Sequence, residues 1–208
     1  MTRIVLIRHG QTVWNRKVRF RGQVDVELDE IGLRQAQATG QYVADRWPVT
    51  AVYSSRMQRA MQTAKAVAQA QELTTQSMEG LLDISFGEWQ GLSPAEVSQR
   101  DPTLYQAWMK APHTVHFPGG ERLDIVRERA LTGLEKVISR HPAETIALVS
   151  HSVVNRVLLC AVLGLGDDHF WQLRQDTCAV NVFETNEDDT FTILLMNDTC
   201  HLQSLVAT

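Results

Sequence analysis

The chain has 208 residues, room for one large core or two small ones, and its 44% hydrophobic and 21% charged residues are ordinary for a globular protein. A formal net charge of −4 gives no ground for nucleic acid or an anionic membrane surface as partner. No stretch approaches the roughly 18–20 apolar residues of a membrane span.

In chain order, the apolar run at Met1 to Ile7 is too short for a signal peptide and leads directly into a strand. Ile4–Ile7 is continuous and β-branched, the pattern of a strand buried on both faces. Gly32 to Arg46 reads as a helix stopped by Trp47-Pro48, and Val49–Tyr53 as a second strand. Met57 to about Gln71, rich in Ala, Met and Gln, is helical by propensity. Ser93-Pro94-Ala95-Glu96 is a capping box with proline at the first helical position, and Asp101-Pro102 starts another helix. Ser93 to about Pro118 therefore reads as a helical insertion, a lid over about 93–118. Arg122 to Arg140 gives a further helix, Thr145–Val149 an apolar strand, and Val153–Leu163 a helix ended by Gly164. Val180–Glu184 and Phe191–Met196 flank Asn186-Glu187-Asp188-Asp189 as a hairpin. Alternating strands and helices imply an α/β protein, a three-layer α/β/α sandwich with a mainly parallel central sheet. With no repeat or long linker, one domain over 1–208 is expected. Cys160, Cys178 and Cys200 form no zinc or CxxC pattern, so a reduced, cytoplasmic setting is expected.

Three strands run into polar residues of one kind: Arg8-His9-Gly10, Ser54-Ser55 followed by Arg59, and Ser150-His151-Ser152. Ligands bind beyond the carboxyl ends of strands in open parallel sheets, so two arginines and two histidines are candidates for one crevice. Such a cluster is costly without an anion, and a phosphate dianion, matched by arginine forks and by helix N-termini, resolves it. Histidine is a competent nucleophile when one ring nitrogen is neutral and the other is held by an acceptor. His9 follows a rigid strand and precedes Gly10, which allows a close backbone approach. The surrounding positive charge is expected to depress its pKa. His113, His116, His141 and His169 have no metal-site spacing and read as surface or lid residues; Trp89 and Trp108 read as packing.

Arg8-His9-Gly10-Gln11-Thr12-Val13-Trp14-Asn15 resembles the RHGxTxxN signature of the histidine phosphatase superfamily, in its phosphoglycerate mutase-like branch. The similarity continues through Gly22, Asp25, Leu28 and Gly32, then Ser54-Ser55 with Arg59-Ala60 and Gln62-Thr63-Ala64. It returns in Phe86-Gly87-Glu88-Trp89-Gln90-Gly91, in Gly119-Gly120-Glu121 with Arg129, and in Ser150-His151. The resemblance implies a phosphohistidine on His9, with Arg8, Arg59 and His151 holding the transferring phosphoryl group, and no metal or organic cofactor. It places Asn15, Arg21 and Gly22 against substrate or phosphate oxygens. The acid that protonates the leaving oxygen is normally a glutamate; the matching position here is Asp83, and Glu88 is the rival. Ser152 replaces a common glycine, Arg21 a common glutamine, and Arg122 a more usual serine.

What the acceptor is separates two activities. A phosphatase hands the group to water, whereas a mutase returns it to another hydroxyl of the bound metabolite. Mutases of this family carry longer insertions and a different segment after the second histidine, which favours the phosphatase. Trp108 to Gly120 and Asn197 to Leu202 are similar to metal-independent phosphoserine phosphatases. Phe86, where those enzymes use a histidine, suits the α-ribazole phosphatase-like branch as well, so the small phosphorylated metabolite stays open. A non-catalytic module that binds phospho-ligands is the alternative of another class, and a homodimer paired through the hairpin edge is a further option.

Overall fold

A computed structural model describes residues 1–188 and 190–206. Its centre is a six-stranded sheet in the order β3-β2-β4-β1-β5-β6. The strands are β1 (Arg3–Arg8), β2 (Ala51–Ser54), β3 (Thr75–Ser77), β4 (Thr145–Ser150), β5 (Val180–Thr185) and β6 (Phe191–Asp198). The first four run parallel, and β5 and β6 add antiparallel at the β1 side, so the sheet is mainly parallel.

Alternation along the strands divides the core into two layers. Val5, Ile7, Val52, Ala147 and Val149 meet α2 (Glu30–Arg46) and α3 (Gln58–Gln69) on one face. Ile4, Leu6, Tyr53, Ile146 and Leu148 meet α6 (Leu123–Arg140) and α7 (Ser152–Val162) on the other. Both faces are covered, which explains the uninterrupted apolar composition of β1 and β4. The insertion contains α4 (Pro94–Arg100) and α5 (Pro102–Lys110), and its Val97, Trp108, Val115 and Phe117 are buried in the α6–α7 layer. Trp89 and Trp108 are both packing residues, at 1% and 3% exposure.

The differences from the expected elements have local causes. α2 begins two residues early because the Asp29 side chain accepts the Gly32 N–H as an N-cap. β2 begins late because the Val49 N–H is taken by the Gln71 side chain (2.8 Å) instead of a ladder partner. β3 is a short polar edge strand with no apolar alternation to announce it. A single helical turn, α1 (Val13–Arg16), is held by a reciprocal box between Thr12 and Asn15. The hairpin is present, although Asp189 of its expected turn lies outside the described residues. His141 is neither surface nor lid: its half-buried ring bonds the Tyr53 hydroxyl and the Glu144 carboxylate, each at 2.9 Å. Residues 203–206 form a last turn, α8 (Gln203–Val206). Among the described residues no helix is long and apolar enough to cross a membrane.

Candidate active site

Strand register builds the site. β1 and β4 pair in parallel with Arg8 opposite Ser150, and the His9 N–H donates to the Ser150 carbonyl at 2.9 Å. The next residue on each strand is a histidine, so His9 and His151 emerge side by side with ring centroids 5.2 Å apart. On the far side of β4, the Ser55 N–H donates to Val149 O, and α3 starts three residues later with Arg59 in its first turn. Adjacency of β2, β4 and β1 thus gathers Arg8, His9, Arg59 and His151, all buried.

The tautomer of His9 follows from its one hydrogen bond. Nδ1 lies 2.7 Å from the Gly10 carbonyl, an acceptor only, so Nδ1 carries the proton and Nε2 keeps its lone pair. That Nε2 is buried without a protein partner. Burial first, then the charges of Arg59, His151, Arg8 and Arg21, hold the His9 pKa well below the usual histidine value. The direction is the expected one, with burial as its first cause. His151 is lowered for the same reasons, burial first and Arg59 next.

Arg59 is anchored by Gly22 O (2.6 Å), Val24 O (2.9 Å) and the Asp83 carboxylate (3.0 Å). Its helix neighbours are polar because they bind the backbone: Thr63 Oγ1 accepts the Gly10 N–H and donates to the Arg59 carbonyl. Arg8 is held through Gln175 O at 2.6 Å, and Gln175 is in turn bonded to buried Asn181. Burial, with Arg21 and Arg156 nearby, brings the Arg8 pKa down to about 9, against the opposing pull of Asp83 and Asp176. Burial likewise brings Arg21 down to about 10. Orphaned nitrogens concentrate here: Nε of Arg8, Arg21 and Arg59, Nε2 of His9, and both ring nitrogens of His151 lack protein partners. Buried polar atoms are rarely left so, and a tetrahedral anion satisfies the arginine N–H groups among them together. His151 is also the N-cap of α7, and its side chain makes no cap hydrogen bond there, which leaves helix N–H groups at the same place.

Asp83 belongs to this group and Glu88 does not. Asp83 is 5% exposed, and its Oδ2 lies 3.0 Å from Arg59 Nη2 and 3.5 Å from His151 Nδ1. Burial raises its pKa above the ordinary carboxylate value, with Arg59 and Arg21 opposing. Glu88 sits on the surface in an ion pair with Arg100. The backbone before and at Asp83 is fixed by Arg129, which donates to Leu82 O (2.6 Å) and Asp83 O (3.2 Å) and pairs with Glu121.

Beside Asp83 opens a cavity of about 300 Å³. Asn15, Arg21 and Gly22 line it. The Asn15 oxygen is occupied by the Thr12 N–H and hydroxyl, so its amide N–H₂ is the group left for a ligand. Gly22 contributes backbone, its carbonyl spent on Arg59. Sequence reasoning missed Arg156, which lines the same cavity and stacks over Trp171 at 4.8 Å. The available signal was its place one turn beyond Ser152 on the helix after His151, which puts both on one face.

Paired strand-end histidines among desolvated arginines, on an α/β sheet, define an enzyme that handles phosphoryl groups. The chain belongs to the histidine phosphatase superfamily (branch 1), whose profile matches residues 4–199. It is 35% identical over 202 residues to phosphoserine phosphatase 1 of Hydrogenobacter thermophilus, covering 97% of this chain and 95% of that protein. A metal-independent phosphoserine phosphatase of Arabidopsis thaliana is 33% identical over 162 residues, covering 76% of this chain and 67% of that one. Among solved structures, Bacillus stearothermophilus YhfR superposes with a TM-score of 0.92 at 31% identity, covering 98% of this chain and all of its own.

Proposed function

We propose that this chain hydrolyses small phosphomonoesters through a phosphohistidine on His9. The observation that carries this is the bare, buried Nε2 of His9, its tautomer fixed by the Gly10 carbonyl, beside His151 and among the arginines. In the first step Nε2 attacks phosphorus, the ester P–O bond breaks, and Asp83 gives its proton to the leaving oxygen. In the second, the Asp83 carboxylate takes a proton from water, the hydroxide oxygen bonds phosphorus, and the P–N bond returns its electron pair to His9. Arg8, Arg59 and His151 spread the charge on the equatorial oxygens, where most of the barrier to phosphoryl transfer is lowered. Asn15, Arg21 and the Gly22 loop contact the substrate. No step calls for a metal or organic cofactor, in keeping with the name of the Arabidopsis relative.

The cavity walls narrow the alcohol. Phe20, Phe86, Trp108 and Trp171 give apolar surface, while Arg21 and Arg156 give cations that favour a second anionic group on the substrate. A small monoester bearing a carboxylate fits, and phosphoserine is the first to test, given the relatives' names. The reading extends to one catalytic domain in which 93–118 forms the lid, since Trp108 of α5 reaches the cavity. It extends also to a cytoplasmic protein and a homodimer paired at β6, the outer strand with exposed Leu194 and Met196.

p-Nitrophenyl phosphate turnover with EDTA present is expected to persist in the parent and vanish in His9→Ala. Rapid quenching with labelled substrate should give an acid-labile, base-stable label lost in the same variant. Turnover undiminished in His9→Ala overturns the proposal. Incubation with 3-phosphoglycerate and 2,3-bisphosphoglycerate that yields isomer instead of inorganic phosphate assigns the mutase reaction.

A further inference from the structure

One cluster of ligating side chains takes no part in the proposed chemistry. Asp198 ends β6, Cys200 and His201 follow in a 3-10 turn, and a ligand atom from each lies within 4.8 Å of the others. Among the described residues no other three His, Cys, Asp or Glu side chains meet in this way. The spacing carries no zinc signature; the turn is completed as a site by α2, which supplies Thr39 and Tyr42 behind it.

The state of His201 follows from its neighbour. The Thr39 hydroxyl donates to Gln35 O at 2.7 Å, so toward His201 Nε2, 3.0 Å away, it can only accept. Nε2 therefore carries the proton, and Nδ1 presents a lone pair, buried and without a protein partner. Such a second hydrogen bond is how metal-binding histidines are oriented and their tautomer set. Asp198 is oriented too: one oxygen accepts the Tyr42 hydroxyl and the other the Cys200 N–H (3.0 Å). Cys200 Sγ lies 3.3 Å from Asp198 Oδ2. A tetrahedral ion with bonds of about 2.3 Å to sulfur and about 2.1 Å to oxygen sets those two atoms about 3.6 Å apart, so little movement is needed. Cys200 is exposed, which gives an ion a way in.

We propose that Asp198, Cys200 and His201 form a binding site for a zinc-type divalent cation, with water at the fourth position. Asp carboxylate, thiolate and neutral imidazole balance the ion's two charges, and mixed S, N and O donors suit zinc over calcium or magnesium. On binding, the Cys200 thiol loses its proton to solvent as the metal–sulfur bond forms. The ion ties the C-terminal turn to α2, and through Thr39, Gln35 O and the Gln35 side chain to the Gln11 N–H, two residues past His9.

The test uses the full chain, stripped with chelator and then loaded with Zn²⁺ or Co²⁺ alone. One zinc per chain should survive gel filtration, and the cobalt form should show a thiolate-to-metal charge-transfer band that Cys200→Ser abolishes. His201→Gln should lose the zinc, and Thr39→Val should weaken it by about 10–100-fold, the usual cost of removing such a partner. Melting curves of the metal-free variants matching that of the metal-free parent establish that they fold. Absence of the cobalt band, or zinc held equally by parent, Cys200→Ser and His201→Gln, overturns the proposal.

Discussion

Asp83→Asn removes the proton and the charge of the side chain while keeping its shape. The amide has nearly the same shape and its oxygen still accepts from Arg59, so the anchors of Arg59 on Gly22 and Val24 are retained. What disappears is the ability to protonate a leaving oxygen in the first step and to take a proton from water in the second. The carboxyl is 5% exposed, and burial raises its pKa, the direction that keeps an acid protonated at the pH where the histidine nucleophile is neutral. A positioned acid contributes about 10²–10⁴ in rate, or roughly 3–5 kcal/mol of transition-state stabilisation. The loss should fall mainly on alkyl monoesters, whose alkoxides leave poorly, and lightly on p-nitrophenyl phosphate, whose phenolate leaves unaided. The single-turnover rate of phosphoenzyme formation from phosphoserine and from p-nitrophenyl phosphate, across pH, measures both, and the alkaline limb of the alkyl profile should vanish with the carboxyl. Equal losses on the two esters, or an alkyl loss below about tenfold, would refute Asp83 as the acid.

Arg156→Met should raise KM for a carboxylate-bearing monoester by about 10–150-fold, the value of one charge-assisted hydrogen bond, and leave p-nitrophenyl phosphate little changed. Gly32→Ala places a Cβ 2.0 Å from the Gln11 carbonyl, so backbone must shift beside His9. Its expected cost is about 1–3 kcal/mol in urea unfolding together with a fall in kcat. His9 and His151 bind protons less readily folded than unfolded, so the unfolded chain gains protons first as pH falls below about 6.5. Stability should therefore be flat above that pH and decline below it, with a shallower decline in His151→Gln, read from urea midpoints between pH of about 5 and about 8.

Fold class was legible because β1 and β4 are apolar without interruption, a composition only a sheet covered on both faces requires. The histidines and arginines were legible as members of one crevice from their places at strand ends, but the side-by-side pairing of His9 with His151 depends on a parallel register no local pattern encodes. Arg59 was legible only through the Ser54-Ser55 and Gln62-Thr63-Ala64 pattern around it, because a helix this rich in polar residues usually carries an arginine as solvated surface. Gln62 and Thr63 face inward to bind the backbone of Leu28, Gly10 and Arg59, a distinction visible only after folding. Asp83 ranks above Glu88, five positions on, only by its match to the family pattern; the physical difference between them is burial, which the sequence does not show. Arg156 and the Asp198–Cys200–His201 cluster escaped notice because each becomes a site through an element distant in sequence.

The anchoring of Arg59 on two backbone carbonyls and a carboxylate has a kinetic corollary. A guanidinium already immobilised spends nothing on ordering itself when an ester arrives, but it offers the same welcome to orthophosphate, which presents identical oxygens without the alcohol. Release of the inorganic product is then the step on which such a rigid cradle acts as a brake, and competitive inhibition by free phosphate comes built into the way this arginine is held.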